Sequence, residues 1–231
     1  MAWLIVVAVA AEAGLLAPRL MPAPAQAGRP AWRGRIAGRE ILLVLGGLGL
    51  VNTAQAVTAA LEREPDIDAV INLGCAGAYA MSGLGLGDAA LATECVLADW
   101  GVAAARGWRS LNALGLPLGQ GPDGAPRYHR WPCDPGLAQL FLAANPALAS
   151  GVFNSVVQVS GDAPAAAALE ARWGAVIEEM EGAAAAQVAA HYGRPFAALR
   201  GVSNIAGMRE LDIRAGAEAA QMAFLRLEEM P

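Results

Sequence analysis

VIEEMEGAAAAQVAAHYGRPFAALRGVSN, residues 176–204, changes period twice, and that change decides the fold. A short apolar run over 174–179 suits a strand, and EGAAAAQVAAHYG (181–193) has helical spacing. PFAALRGV (195–202) is apolar and strand-like again, with Gly193 and Pro195 as the stop and restart between helix and strand. The same alternation extends outward. WLIVVAVA (3–10), EILLVLG (40–46), DAVINLG (68–74), DAALATECVLAD (88–99) and VFNSVVQV (152–159) predict strands. Unbroken apolar runs of this length suit strands covered on both faces. VNTAQAVTAALERE (51–64) and residues 211–230 predict helices. Strands alternating with helices imply an α/β class fold, a three-layer α/β/α domain. No repeat or interdomain linker interrupts it, so residues 1–231 read as a single domain. Residues 18–35 read as loop, and residues 100–135, crowded with Gly, Pro, Trp and Arg, as an irregular insertion.

Composition narrows the chemistry. The chain is 56% hydrophobic with a net charge of -5, which disfavours nucleic acid or an anionic membrane as partner. All 16 basic residues are Arg, so Schiff-base chemistry and a phosphate loop built on Lys are excluded. Three scattered cysteines and two histidines suggest neither a disulfide framework nor a metal site, and the expectation is no metal, no cofactor and a reducing cytoplasm. The apolar N-terminus lacks a leading basic residue and is broken by Glu12, so it predicts a buried strand rather than a signal or an anchor.

Four places could carry chemistry. LGGLGLVNTA (45–54), with Gly47, is a strand, a Gly-rich turn and a helix start, where backbone N–H groups can approach a ligand. INLGCAGAYAMSGLGLGD (71–88), with Cys75, Ala76 and Gly77, predicts a second Gly-dense turn after a strand, and open α/β sheets bind ligands at such edges. EEMEGAAAA (178–186) sets Glu178, Glu179 and Glu181 about Met180 at a strand-to-helix junction. Capping explains part of that acidity, and a carboxylate there is also suited to vicinal sugar hydroxyls. Glu12, just beyond the first strand, reads either as a solvated acid or as a base for water.

In this order and covering most of the chain, these blocks resemble the nucleoside phosphorylase and nucleosidase superfamily. The decisive block is 176–207, similar to that family's V-x-x-M-E-x-A-A followed by a strand ending R-x-x-S-(D/N). The resemblance implies a phosphorylase/hydrolase-like fold with a central mixed twisted sheet, homo-oligomeric assembly and a small nucleoside substrate. In the phosphorylases Arg and Ser hold phosphate at the second Gly-rich segment. Here Asn72 and Cys75 stand there, neither offers a positive charge, and Glu12 would repel the dianion, so the implied nucleophile is water.

That resemblance assigns roles. Glu12 would deprotonate water, Glu181 would bind the ribose hydroxyls and favour an oxocarbenium-like sugar, and Met180 would pack on the ribose, with Glu179 beside them. Ala76, Gly77 and the segment 160–166 would line the base, with Pro164 where related nucleosidases carry an aromatic. Ser203–Asn204 ends the last strand. Adenine-releasing relatives have Asp where Asn204 stands, and an amide cannot deliver a proton to the purine. That favours a 6-oxopurine leaving group, although an amide also matches adenine's N6/N7 edge. RGVSN-x-x-G-x-R, EEMEGAA and GLGLGD look most like the futalosine hydrolases of menaquinone biosynthesis, which release hypoxanthine. Arg200 and Arg209 are then candidates for ribose-side contacts or for the substrate's benzoate carboxylate, with Trp108 or Tyr128 of the insertion packing at that end. Methylthioadenosine/adenosylhomocysteine or aminofutalosine nucleosidase, purine nucleoside phosphorylase, and a non-catalytic nucleoside binder are the alternatives.

Overall fold

The computed structural model describes every residue except Met1, Arg106, Pro122, Arg209 and Pro231. Its main sheet is built from β1 (Ala2–Val7), β2 (Met21–Gln26), β3 (Arg29–Ile36), β4 (Arg39–Leu45), β5 (Ile67–Ala78), β6 (Ala89–Leu97), β7 (Arg130–Pro132), β8 (Ala149–Ser155), β9 (Ala175–Glu179) and β10 (Phe196–Ile205). The order is β7-β6-β8-β9-β5-β1-β4-β3-β2, and β10 pairs with both β5 and β6. The pairing β5-β10-β6-β8-β9-β5 therefore closes on itself, with parallel and antiparallel ladders mixed around the ring. The mixed sheet expected from the resemblance is present, curled at one end.

Helices α1 (Leu50–Arg63), α2 (Pro135–Ala144), α3 (Ala163–Trp173), α4 (Gly182–His191) and α5 (Ile213–Leu225) cover it. β1 shows why the fold is layered. Its side chains alternate, as strand geometry requires, with Leu4 and Val6 joining the core under α1 and α4. Trp3, Ile5 and Val7 join the core under α2 and α5. The alanines of α4 leave no bulk between helix and sheet. At β10 and α5 the approach is closer still: a Cβ on Gly201 would lie 1.9 Å from the Gly216 carbonyl oxygen, so both positions require glycine. Among the described residues no helix is long and apolar enough to cross a membrane.

Several expectations are corrected. Residues 18–35 are not loop but chiefly the β2–β3 hairpin. Pro22 and Pro24 masked it, because proline is tolerated only where a strand forms the sheet edge, and β2 does so. The first strand stops at Val7, and Ala10–Ala13 form one 3-10 turn. The strand expected over 152–159 ends at Ser155, whereas INLGCAG does not turn at all: β5 runs through Gly74, Cys75, Ala76 and Gly77 to Ala78. Helices α2 and α3 were not foreseen; each is capped by an aspartate, Asp134 and Asp162.

The 100–135 insertion contains two small ribbons, Val102–Ala104 with Gly107–Arg109 and Gly119–Gln120 with Pro126–Arg127. His129 fastens it: Nδ1 donates to Leu97 O (2.9 Å) and Nε2 accepts from Leu111 N (3.0 Å). Burial lowers the His129 pKa, consistent with this neutral tautomer. Trp108 packs edge-on to Trp173 and against His129, under the Arg172 guanidinium. Trp108 is thereby packed into a cluster with His129, Arg172 and Trp173. Tyr128 borders a small cavity with Asn112, Arg127 and Trp173.

Candidate active site

Glu12 is the first side chain of the site. The 3-10 turn after β1 folds it back, leaving it 4% exposed. Oε2 accepts the Ala8 and Val9 N–H groups (2.8 and 3.1 Å), and Oε1 accepts the Cys75 N–H of β5 (2.8 Å). A Cβ on Gly74 would sit 2.7 Å from Glu12 Oε1 and 3.5 Å from Arg200 Nε. Glycine on β5 thus lets the carboxylate and the guanidinium converge on one spot. Arg200 Nε is buried there with no protein partner among the described residues.

The EEME run distributes three carboxylates by strand alternation and the turn that follows. Glu178 faces the 160–166 segment: Oε1 accepts Ser160 N (2.9 Å), and Oε2 accepts Ser160 Oγ (2.5 Å) and Tyr79 OH (3.2 Å). Asn154 Nδ2 in turn donates to that phenol oxygen (2.9 Å). Glu179 points the other way. Its Oε2 accepts Arg200 Nη2 (2.5 Å), Glu181 N (2.8 Å) and Gly182 N (2.7 Å), and its Oε1 accepts Ser155 Oγ. Both oxygens are spent on the protein, so Glu179 supports Arg200 and the α4 N-terminus instead of facing a ligand. Gly182 is the residue that permits this, since a Cβ there would meet Cys95 Sγ at 2.8 Å.

Glu181 is the carboxylate at the Gly-rich turn. Oε1 accepts the Gly49 N–H (2.8 Å), Oε2 the Met180 N–H (3.3 Å), and Arg200 Nη2 lies 3.7 Å from Oε2. Burial, reinforced by the charge of Glu179, pushes its pKa up to about 7 against the pull of Arg200. Gly49 is thus a site residue the sequence reading missed. Gly47, the glycine named instead, donates its N–H to Ala8 O (3.1 Å) and lies against the Arg29 and Asn52 side chains. Both adopt φ 88°, which only glycine takes without strain. The signal for Gly49 was its place as the last residue before the helix.

Arg200 is 1% exposed, and its Nη groups also donate to the Asn72 carbonyl (3.1 Å) and Oδ1 (2.5 Å). Burial would lower its pKa; Glu179, Glu181 and Glu12 reverse that and raise it. So committed, its Nη groups are no anchor for a distant benzoate. Arg209 lies outside the described residues. The Cys75 thiol is pushed up to about 12 by burial and then by Glu12, which keeps it protonated.

The opposite wall is made where β10 bulges between Val202 and Asn204, opposite Gly77 of β5. A Cβ on Gly77 would lie 3.3 Å from Asn204 Nδ2, tighter than an ordinary contact. Ser203 Oγ lies 3.1 Å from Ala76 O and 2.9 Å from Asn204 Oδ1, orienting the amide, whose NH2 donates to Ile205 O (3.0 Å) and Met208 O (3.3 Å). Gly207, just beyond, packs on the Asp162–Ala163 backbone, so the 160–166 segment meets the Asn204 loop. Pro164 sits in the first turn of α3, and Met180 is half-buried at the end of β9.

Comparison with known proteins places the chain in a family. Residues 3–229 match the family model of the phosphorylase superfamily. The chain belongs to the phosphorylase superfamily. Within it, the chain is 37% identical over 201 residues to the futalosine hydrolase of Thermus thermophilus, covering 85% of this chain and 84% of the relative. It is 32% identical over 178 residues to the 5'-methylthioadenosine/S-adenosylhomocysteine nucleosidase of Bacillus thuringiensis, covering 76% and 72%. Among solved structures, S-adenosylhomocysteine nucleosidase of Streptococcus pyogenes superposes with a TM-score of 0.83 at 24% identity over 100% of this chain and 98% of the other. A futalosine hydrolase mutant of Helicobacter pylori gives 0.71 at 24% identity over 99% and 93%. These two structures establish the shared fold.

Proposed function

We propose that the chain hydrolyses the N-glycosidic bond of futalosine, releasing hypoxanthine and dehypoxanthine futalosine on a route to menaquinone. The broader class, a hydrolase of N-glycosyl bonds, follows from the futalosine hydrolase and methylthioadenosine/adenosylhomocysteine nucleosidase relatives within the superfamily.

One observation carries the mechanism: three carboxylates, Glu12, Glu179 and Glu181, surround a single guanidinium, Arg200. Such a site repels a phosphate dianion and favours a sugar acquiring positive charge. Water held between Glu12 and Arg200 Nε–H would lose its proton to Glu12 as it attacks the anomeric carbon. Glu181 would accept the ribose hydroxyls and stabilise the oxocarbenium-like transition state. Asn204 would hydrogen-bond the departing base. Its NH2 is engaged with the Ile205 and Met208 carbonyls, so contact with a purine requires the following loop to release one of them. An amide stabilises an anionic 6-oxopurine but supplies no proton.

The Thermus relative supports futalosine as the substrate, and the Bacillus relative supports a second reading, methylthioadenosine/adenosylhomocysteine cleavage. Purified protein incubated with futalosine, aminofutalosine, methylthioadenosine or inosine, with and without phosphate, separates them. Hypoxanthine from futalosine without phosphate is expected. Adenine from methylthioadenosine with no hypoxanthine from futalosine overturns the substrate, and phosphate-dependent turnover overturns hydrolysis.

A further inference from the structure

Futalosine carries an aromatic carboxylate on the arm extending from its ribose, and Arg200 is too committed to bind it. Another arginine is better placed. Arg29 opens β3 at the tip of the β2–β3 hairpin and reaches the 46–49 turn, the same turn whose Gly49 N–H holds Glu181. Its Nη1 donates to Gly46 O, Nε to Gln55 Oε1 (2.5 Å) and Nη2 to Asn52 Oδ1 (3.0 Å). All three acceptors are neutral. Every other arginine that hydrogen-bonds a side chain among the described residues has a carboxylate partner, and no carboxylate lies within ion-pair distance of Arg29.

The fork is therefore held in place while its charge is unmatched. A guanidinium carries five N–H donors. Three are used, leaving one on each terminal nitrogen. Arg29 is half-buried, so a partner carboxylate would reach it from solvent without displacing an internal ion pair. The surface beside the turn is apolar: Leu48, 57% exposed, and Val51, 84% exposed, flank it and suit an aromatic ring. Gly47 makes the approach possible, because a Cβ there would lie 2.9 Å from Arg29 Nη1.

We propose that Arg29, with Leu48 and Val51, forms the subsite for the aromatic carboxylate of the substrate, on the far side of the Gly-rich turn from Glu181. The inference rests on the futalosine reading above. It assigns discrimination for an acidic arm to a residue outside the catalytic cluster.

The test compares futalosine with its methyl ester, which keeps the arm and removes the charge. Wild-type enzyme should prefer the acid by at least about tenfold in kcat/KM, as a charge-assisted hydrogen bond implies. Arg29→Met should erase that preference, and Arg29→Lys, with the charge but no fork, should restore part of it. The ratio is an internal control, because loosening the Gly46 contact would slow both substrates alike. A variant that loses acid and ester in equal proportion, or keeps the wild-type preference, overturns the subsite while leaving futalosine hydrolysis standing. Wild-type protein that leaves futalosine intact overturns the substrate reading and the subsite together.

Discussion

Arg200 Nη2 and Glu179 Oε2 lie 2.5 Å apart with side chains 1% and 0% exposed, an ion pair entirely inside the protein. Removing one partner of such a pair leaves an uncompensated charge, which costs about 3–5 kcal/mol. Glu179→Ala should therefore lose stability on that scale in chemical denaturation, and lose activity through a displaced Arg200. A near-wild-type midpoint would refute the supporting role given to Glu179.

Glu181 predicts opposite pH trends for stability and rate. Its folded pKa, about 7, stands above the ordinary carboxylate value of 4.5, so the folded state binds the proton more tightly. Its contribution to stability is full below pH 4.5 and is lost as pH rises through about 7. Catalysis needs the anion, so kcat/KM should climb over the same interval. Glu181→Gln should abolish that climb, lower kcat roughly 10²–10³-fold, and flatten the stability profile measured by thermal melts across pH. An acid limb unchanged in the variant would remove Glu181 from the mechanism.

Glu12 accepts three backbone N–H groups, so Glu12→Gln turns an amide NH2 towards at least one donor. A stability loss of about 1–3 kcal/mol is expected, together with a fall in kcat larger than any change in KM. Retained single-turnover rates would exclude Glu12 as the base.

Asn204→Asp should raise the rate of adenine release from aminofutalosine or methylthioadenosine relative to hypoxanthine release from futalosine, because a carboxyl group can deliver a proton. Product chromatography reads the ratio. No change would mean that position 204 does not face the leaving group.

Glu178 tests whether the base segment is positioned from below. Ser160→Ala removes one donor to Glu178 and should raise KM several-fold while leaving kcat nearly intact. A fall in kcat with KM unchanged would place that network elsewhere.

The legibility of the sequence followed the range of the interactions involved. Period and punctuation exposed the strand–helix–strand unit around Glu181, because Gly193 and Pro195 act locally. The acidic run was visible as well, but not its division of labour. Glu178, Glu179 and Glu181 differ in what strand pairing brings to them: Ser160, Arg200 and Gly49. The β2–β3 hairpin was hidden because its prolines signal loop until the strand is known to lie at an edge. Gly74, Cys75, Ala76 and Gly77 suggested a turn by composition. They form a strand because Glu12, Arg200 and Asn204 need close access to its backbone, a requirement set by residues more than sixty positions away.

Those prolines have another consequence. The outermost strands of the main sheet are β2, with Pro22 and Pro24, and β7, with Pro132. Each proline withholds an N–H from the rim, so another chain finds an incomplete template for strand addition. A 56% hydrophobic protein thereby guards its two open borders against runaway polymerisation.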